Sequence, residues 1–254
     1  MIDSHFHFSF GSDDEDFQEL NWNNNKVLSY FNRLLPIVKE YGVSSIYGIF
    51  AYFNPGLSKE VKKIFPGLVS GLYLMLYDNV EEQLGKADSN FDFIKFHYHI
   101  GDPLSNLDLV IEKVDKCLSL GFNKFQFHTS NLSEESLRVL NEYSKRGVNF
   151  YLAHGASALN NSIKYGGSNA SKLAGLIAEG NILLGISEPT YCVMTPLEYV
   201  TNALSLGLED NLCFETDYSF NMGKNWYDVY FKSMSETIPF NKKIYEENAK
   251  KFLK

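Results

Sequence analysis

Six histidines occur in this chain, His5, His7, His97, His99, His128 and His154, and each stands at or just past the end of a run rich in β-branched and aromatic residues. His5 and His7 are two apart, so on a strand they share a face with Cα atoms about 6.6 Å apart. That spacing lets two imidazoles converge on one ion at about 2.1 Å. Alternation also puts Lys124, Gln126 and His128 on one face, and polar residues facing inward are hard to explain by packing. His154 closes another run in Tyr151-Leu-Ala-His154-Gly155, and Asp217 closes the last in Phe214-Glu-Thr-Asp217. Imidazoles with one carboxylate suit a borderline divalent metal, zinc first and manganese or iron next, with a position open for water. A divalent ion lowers the pKa of its water and polarises the bond under attack, and a nearby carboxylate is a sensible general base.

The elements that must position these groups follow from periodicity. Strand-like runs fall at 2–7, 45–52, 68–77, 91–97, 122–128, 148–154, 181–187 and 212–217, and helical patterns are clearest at 27–41, 107–120, 133–145 and 197–206. Ser133 with two following glutamates reads as an N-cap and acidic first turn, and Arg146-Gly147 as a basic end with a terminating glycine. Strand and helix alternate, which implies a parallel sheet, and a unit length of about 25 to 35 residues fits a (β/α)8 barrel. The expectation is an α/β chain folded as one slightly distorted TIM-barrel domain over 1–254, and the short connections around the third strand imply a compact, partly open pocket. A doubly wound open sheet is the runner-up, but it would usually carry a Gly-rich turn where this chain has its histidine pair. The C-terminal face of a barrel is where active sites are built, and the histidines all fall there. The stretch 155–171, rich in Gly, Asn and Ser, reads as a long loop beside the pocket, either shaping it or merely connecting. The acidic run 12–16 reads as a solvated loop.

Composition excludes little but leans one way. With 23 basic against 31 acidic residues, net charge −8, the chain lacks the basic footprint of a nucleic-acid binder. Three scattered cysteines form no C-x-x-C pair and no disulfide framework, and neither a signal peptide nor a membrane span is apparent. A cytoplasmic protein without membrane or nucleic-acid partners is expected.

At these residues the chain resembles the amidohydrolase superfamily, most closely its amidohydrolase-2 branch of metal-dependent barrel hydrolases and decarboxylases. Ile2-Asp3-Ser4-His5-Phe6-His7 resembles the opening I-D-x-H-x-H, and Ile94-Lys95-Phe96-His97 the fourth-strand V-K-x-H. Phe127-His128-Thr129 and Ala153-His154-Gly155 resemble the fifth- and sixth-strand motifs. Glu215-Thr216-Asp217-Tyr218-Ser219-Phe220 resembles G-S-D-Y-P-F, and Glu247-Asn248-Ala249 the family's close. The motifs run in order from 2 to 253. The resemblance implies that His5, His7, His128 and Asp217 bind or adjoin the metal. It also implies that Asp217 accepts the proton of the attacking water and that His154 orients that water or the substrate oxygen. Some members carry a carboxylated lysine on the fourth strand; the plainer reading of Lys95 pairs it with an inward carboxylate such as Asp3. Lys95, His97, His99 and Glu188 are expected to line the substrate pocket. Glu215-Thr216-Asp217 is also similar to the E-T-D of TatD-like nucleases, though the fourth strand lacks their bridging glutamate.

The expected function is hydrolysis of an amide, ester or lactone bond in a small organic substrate. Decarboxylation of an aromatic acid and a TatD-like nuclease are the alternatives, and a degenerate barrel serving as a binding module is the non-enzyme one. The substrate, one metal against two, and assembly into a homo-oligomer are left open.

Overall fold

The computed structural model describes residues 1–8, 24–51, 56–86, 91–97, 102–187, 196–219, 228, 232, 238 and 241–254. Strands and helices alternate: β1 (Ile2–His7), α1 (Asn24–Glu40), β2 (Ser45–Ala51), α2 (Leu57–Ile64), β3 (Leu68–Met75), α3 (Val80–Lys86), β4 (Phe93–His97), α4 (Leu107–Ser119), β5 (Lys124–His128), α5 (Glu134–Ser144) and β6 (Asn149–Ala153). Two helices in series, α6 (Gly155–Lys164) and α7 (Ala170–Glu179), lead to β7 (Leu183–Gly185), then α8 (Pro196–Ser205), β8 (Leu212–Cys213), β9 (Tyr218–Ser219) and, after a π turn at Lys243–Glu247, α9 (Asn248–Phe252). Every pairing is parallel, in the order β8-β7-β6-β5-β4-β3-β2-β1-β9. The chain is thus a TIM barrel.

The expected eighth strand comes in two pieces. β8 pairs with β7 and β9 pairs with β1, so one stretch of chain closes the barrel. Between them Ser4 donates its N–H to the Phe214 carbonyl at 3.1 Å, and Asp217 donates to the His5 carbonyl at 3.0 Å. β1 is irregular as well: its register against β2 shifts between Asp3 and Phe6. A bulge re-aims side chains, and here the sequence neighbours Ser4 and His5 both meet inward-facing groups. The Ser4 hydroxyl lies 2.8 Å from that of Tyr151, while the His5 ring meets that of His154 at 5.6 Å.

The strands separate two apolar regions. Outward, Phe96, Phe125, Phe127, Phe150 and Leu152 pack under the helices in the larger cluster. Inward, Tyr47, Tyr73, Met75, Phe93, Tyr151 and Cys213 fill the barrel with Ala249 and Phe252 of α9. α9 closes the lower end, where Tyr47 donates its hydroxyl to the Ala249 carbonyl at 2.7 Å.

Local signals account for most boundaries. Ser133 accepts from the Ser136 N–H and forms the cap of α5, and Gly121 and Gly147 end α4 and α5 in positive φ, 92° and 84°. The stretch 155–171 is the exception. It is not a loop: α6 starts directly after His154, and Asn169 caps α7 through the Lys172 N–H. Gly155 to Asn160 and Ser162 are all buried, so the helix is enclosed on more than one face and burial overrides the loop-like composition. Among the described residues no helix is long and apolar enough to cross a membrane.

Candidate metal centre

The upper end of β1 and the stretch between β8 and β9 bring three of the expected residues together. His5 Nε2 lies 2.9 Å from His7 Nε2 and 2.9 Å from Asp217 Oδ1, and His7 Nε2 lies 3.3 Å from the same oxygen. Ligand atoms each about 2.1 Å from a tetrahedral ion would stand about 3.4 Å from one another, so the set is slightly contracted but of the right size. These three residues can hold a metal ion. The donors suit one: two neutral ring nitrogens and a carboxylate oxygen are the ligand types of zinc, and the backbone holds them in place.

Electrostatics agree. Burial, and then the charge of Lys95, hold His5 well below the ordinary histidine range, which keeps its ring neutral and able to ligate. Burial pushes Asp217 up, but the hydrogen bonds of His5 and His7 oppose it, and the carboxyl stands well below its usual range.

Backbone conformation marks the same two corners. His154 and Asp217 have φ of 61° and 51°, a region that residues with a side chain seldom adopt. The surroundings enforce it: the His154 N–H donates to Glu215 Oε1 at 2.8 Å and the Asp217 N–H to the His5 carbonyl at 3.0 Å. The sharp turn after β6 therefore sits on His154, not on Gly155. What Gly155 supplies is closeness, since a Cβ there would stand 2.8 Å from Leu184. His154 Nε2 faces the other oxygen of the aspartate, Oδ2, at 3.5 Å.

The remaining expected residues are placed around this group. His128, half-buried, stacks edge-on to His154 at 4.7 Å between ring centroids and lies outside the three-residue group. Burial and the neighbouring His154, Lys95 and His97 keep it well below the usual histidine range. His97 sits 5.4 Å from the His128 ring and stacks on Tyr73 at 5.3 Å. Lys95 is fully buried and its Nζ has no hydrogen-bond partner among the described residues. Burial brings it down to about 7 against the pull of Asp217 and Glu215. The expected pairing of Lys95 with Asp3 is not formed. Asp3 is taken up by the Thr216 N–H at 3.0 Å, the Thr216 hydroxyl at 2.6 Å and the His5 N–H at 3.4 Å, because the bulge in β1 turns it toward the eighth strand. His99 and Glu188 lie outside the described residues.

Sequence reasoning assigned no role to Glu215, Ser187 and Tyr151, which sit beneath the histidines. The Glu215 carboxylate accepts from the Tyr151 hydroxyl at 2.5 Å and the Ser187 hydroxyl at 2.5 Å. The signal was present: Glu215 stands two before Asp217, so an extended chain puts both on one face.

No family model matches the chain, and no curated protein matches its sequence. Solved structures do match it. An amidohydrolase from Burkholderia multivorans with bound zinc is 12% identical with a TM-score of 0.58, covering 99% of this chain and 98% of that one. A variant of organophosphorus hydrolase from Deinococcus radiodurans is 10% identical with a TM-score of 0.67, over 100% and 92%. A TIM-barrel protein from Bordetella bronchiseptica is 13% identical with a TM-score of 0.61, over 100% and 98%. The chain has the TIM-barrel fold of these proteins.

Proposed function

We propose that this protein is a metal-dependent hydrolase of the amidohydrolase type, acting on an amide, ester or lactone bond of a small organic molecule. The observation that carries the reading is the convergence of His5 Nε2, His7 Nε2 and Asp217 Oδ1 at the upper end of a barrel whose fold neighbours include an amidohydrolase with bound zinc. His5, His7 and Asp217 would hold a divalent ion, zinc first, with His128 adjoining. Such an ion supplies Lewis acidity at that place, lowering the pKa of water and polarising the bond under attack.

The chain's own groups divide the remaining work. The two oxygens of Asp217 face different ways: Oδ1 toward His5 and His7, Oδ2 toward His154. The carboxylate can therefore hold its ligand position with one oxygen and accept the proton of the attacking water with the other. His154 stands where it can take that proton on or orient the water. Lys95 on the inner wall and His97 at the upper end of the fourth strand would line the substrate site beside His128. Net charge −8 supports a small-molecule substrate over a phosphate polymer.

The test is elemental analysis of protein purified without added metal, with turnover assays on esters, lactones, amides and, because one fold neighbour is an organophosphorus hydrolase, phosphotriesters. About one zinc per chain is expected, lost in His5→Ala, with turnover that follows the metal. No transition metal, and no gain on reconstitution, would overturn the reading. Release of carbon dioxide from an aromatic acid, without hydrolysis, would favour the decarboxylase.

A further inference from the structure

Beneath the proposed ligands lies a second carboxylate with no part in the proposed hydrolysis. Glu215 is fully buried, and Gly185 on β7 makes room for it: a Cβ there would stand 2.1 Å from the carboxylate. Oε2 accepts from the Tyr151 hydroxyl at 2.5 Å. Oε1 accepts from the His154 N–H at 2.8 Å, the Ser187 N–H at 3.3 Å and the Ser187 hydroxyl at 2.5 Å. The Ser187 oxygen lies, in turn, 2.7 Å from His154 Nδ1.

Proton counting settles the direction of this chain of contacts. A serine hydroxyl has one proton, and Oε1, already receiving two backbone N–H groups, is an acceptor. The Ser187 proton therefore goes to Glu215, and its oxygen meets Nδ1 with a lone pair. A bond of 2.7 Å there needs a proton on Nδ1. A neutral imidazole carries one proton, which leaves Nε2 bare. The far side of the ring agrees: Nε2 is buried, has no hydrogen-bond partner among the described residues, and stands 3.5 Å from Asp217 Oδ2. A charged N–H aimed at that carboxylate would close to about 2.7–2.9 Å.

We propose that Glu215 is a positioning residue which, through Ser187, holds His154 as the Nδ1–H tautomer and presents the lone pair of Nε2 to Asp217. The carboxylate thereby ties the ends of three strands together, since it binds the main chain of His154 and of Ser187 as well as the hydroxyl between them. The use of that lone pair, to take on the proton that Asp217 accepts, rests on the hydrolytic reading; the tautomer does not.

Long-range proton–nitrogen spectra of the metal-free full-length protein read the tautomer directly, with the His154 signals identified by their loss in His154→Asn. The wild type is expected to show a protonated Nδ1 and a bare Nε2. Ser187→Ala removes the acceptor, so the proton should move to Nε2, where Asp217 can receive it. Glu215→Gln can keep a carbonyl oxygen toward Ser187 and should retain the wild-type pattern. A wild type with Nε2–H, or with both nitrogens protonated, overturns the proposal without need of any variant. So does a Ser187→Ala protein with the wild-type pattern, or a Glu215→Gln protein in which the pattern inverts. Zinc content measured on the same proteins keeps the two ideas apart. An intact tautomer without zinc binding sinks the hydrolytic reading alone, and zinc binding with the wrong tautomer sinks this one alone.

Discussion

The outer and inner faces of the same strands differ in kind. On the outside, Phe96 stacks on Phe125 and Phe127 at 5.9 and 5.5 Å, and Phe150 continues the row at 6.1 Å from each. On the inside, the composition changes with height, from Tyr47, Phe93 and Phe252 at the base, through Lys95, Gln126 and Glu215, to the histidines and Asp217 at the top. The outer face holds the barrel together by apolar burial and dispersion. The inner upper face bears charge and polarity in a buried place, which stability alone would not select. The proposed site is thus seated on the face that weakens the fold, and the face behind it carries the stability.

Paired variants should separate these two faces most sharply. Asp217→Asn keeps the shape and loses the proposed base, so turnover should fall by roughly 10²–10⁴-fold with little change in melting temperature. Phe127→Ala, directly behind the site, should lower stability by about 3–5 kcal/mol while leaving zinc stoichiometry intact in the folded fraction. Chemical denaturation and steady-state kinetics on both proteins check this. Equal effects on stability would erase the distinction.

Lys95 tests the cost of the inner face through pH. Its folded value is about 7, whereas an unfolded lysine titrates near 10.4. Between those values only the unfolded chain holds the proton, so this group's contribution to stability is present above about 10.4 and is lost as pH falls toward 7. Asp3 runs the other way. Burial, opposed by the Thr216 bonds, raises it to about 7, so its contribution is present below about 3.9 and lost as pH rises through 7. Lys95→Met should therefore flatten the rise in stability of the metal-free protein between pH 7 and 10. It should also stabilise that protein at pH 7 by an amount on the order of a few kcal/mol. Denaturation midpoints at pH 7 and 9 that move in parallel with the wild type would show that the amine is solvated.

His154→Asn is expected to have a smaller and more selective effect. Asparagine tolerates the left-handed backbone that His154 adopts, so the corner should survive. Turnover should drop by roughly 10²-fold while zinc content stays near the wild-type value. Loss of metal in proportion to activity would place His154 among the ligands.

The smallest effect expected is none. Binding of duplex or single-stranded DNA at physiological ionic strength should be absent, and no metal-dependent cleavage should be seen, because 31 acidic residues outnumber 23 basic ones. Cleavage that disappears in His5→Ala would turn the reading toward a nuclease.

Much of this could be read along the chain, because it depends on local periodicity. Alternation marks β1 to β6 to within a few residues, and the i, i+2 spacing of His5 and His7 already brings their rings onto one face. Caps at Ser133 and glycines at 121 and 147 bound α5 and α4 through their own backbone chemistry. What failed locally is α6, made of small and polar residues whose helicity comes from burial against β7 and α8, both further along the chain.

The site divides in the same way. Residue types and their place at strand ends pointed to His5, His7 and Asp217 and to a divalent metal as the object of that chemistry. Only the closed barrel decided that Asp217 turns one oxygen to the histidine pair and the other to His154, and that His128 stands one ring further off. It also decided that Asp3 serves Thr216 instead of Lys95, and that Glu215 reaches His154 through Ser187. These choices depend on a register shift in β1 and on a break in the eighth strand. Both arise where the first and last strands meet, across more than two hundred residues of chain, and no local pattern carries information over that distance.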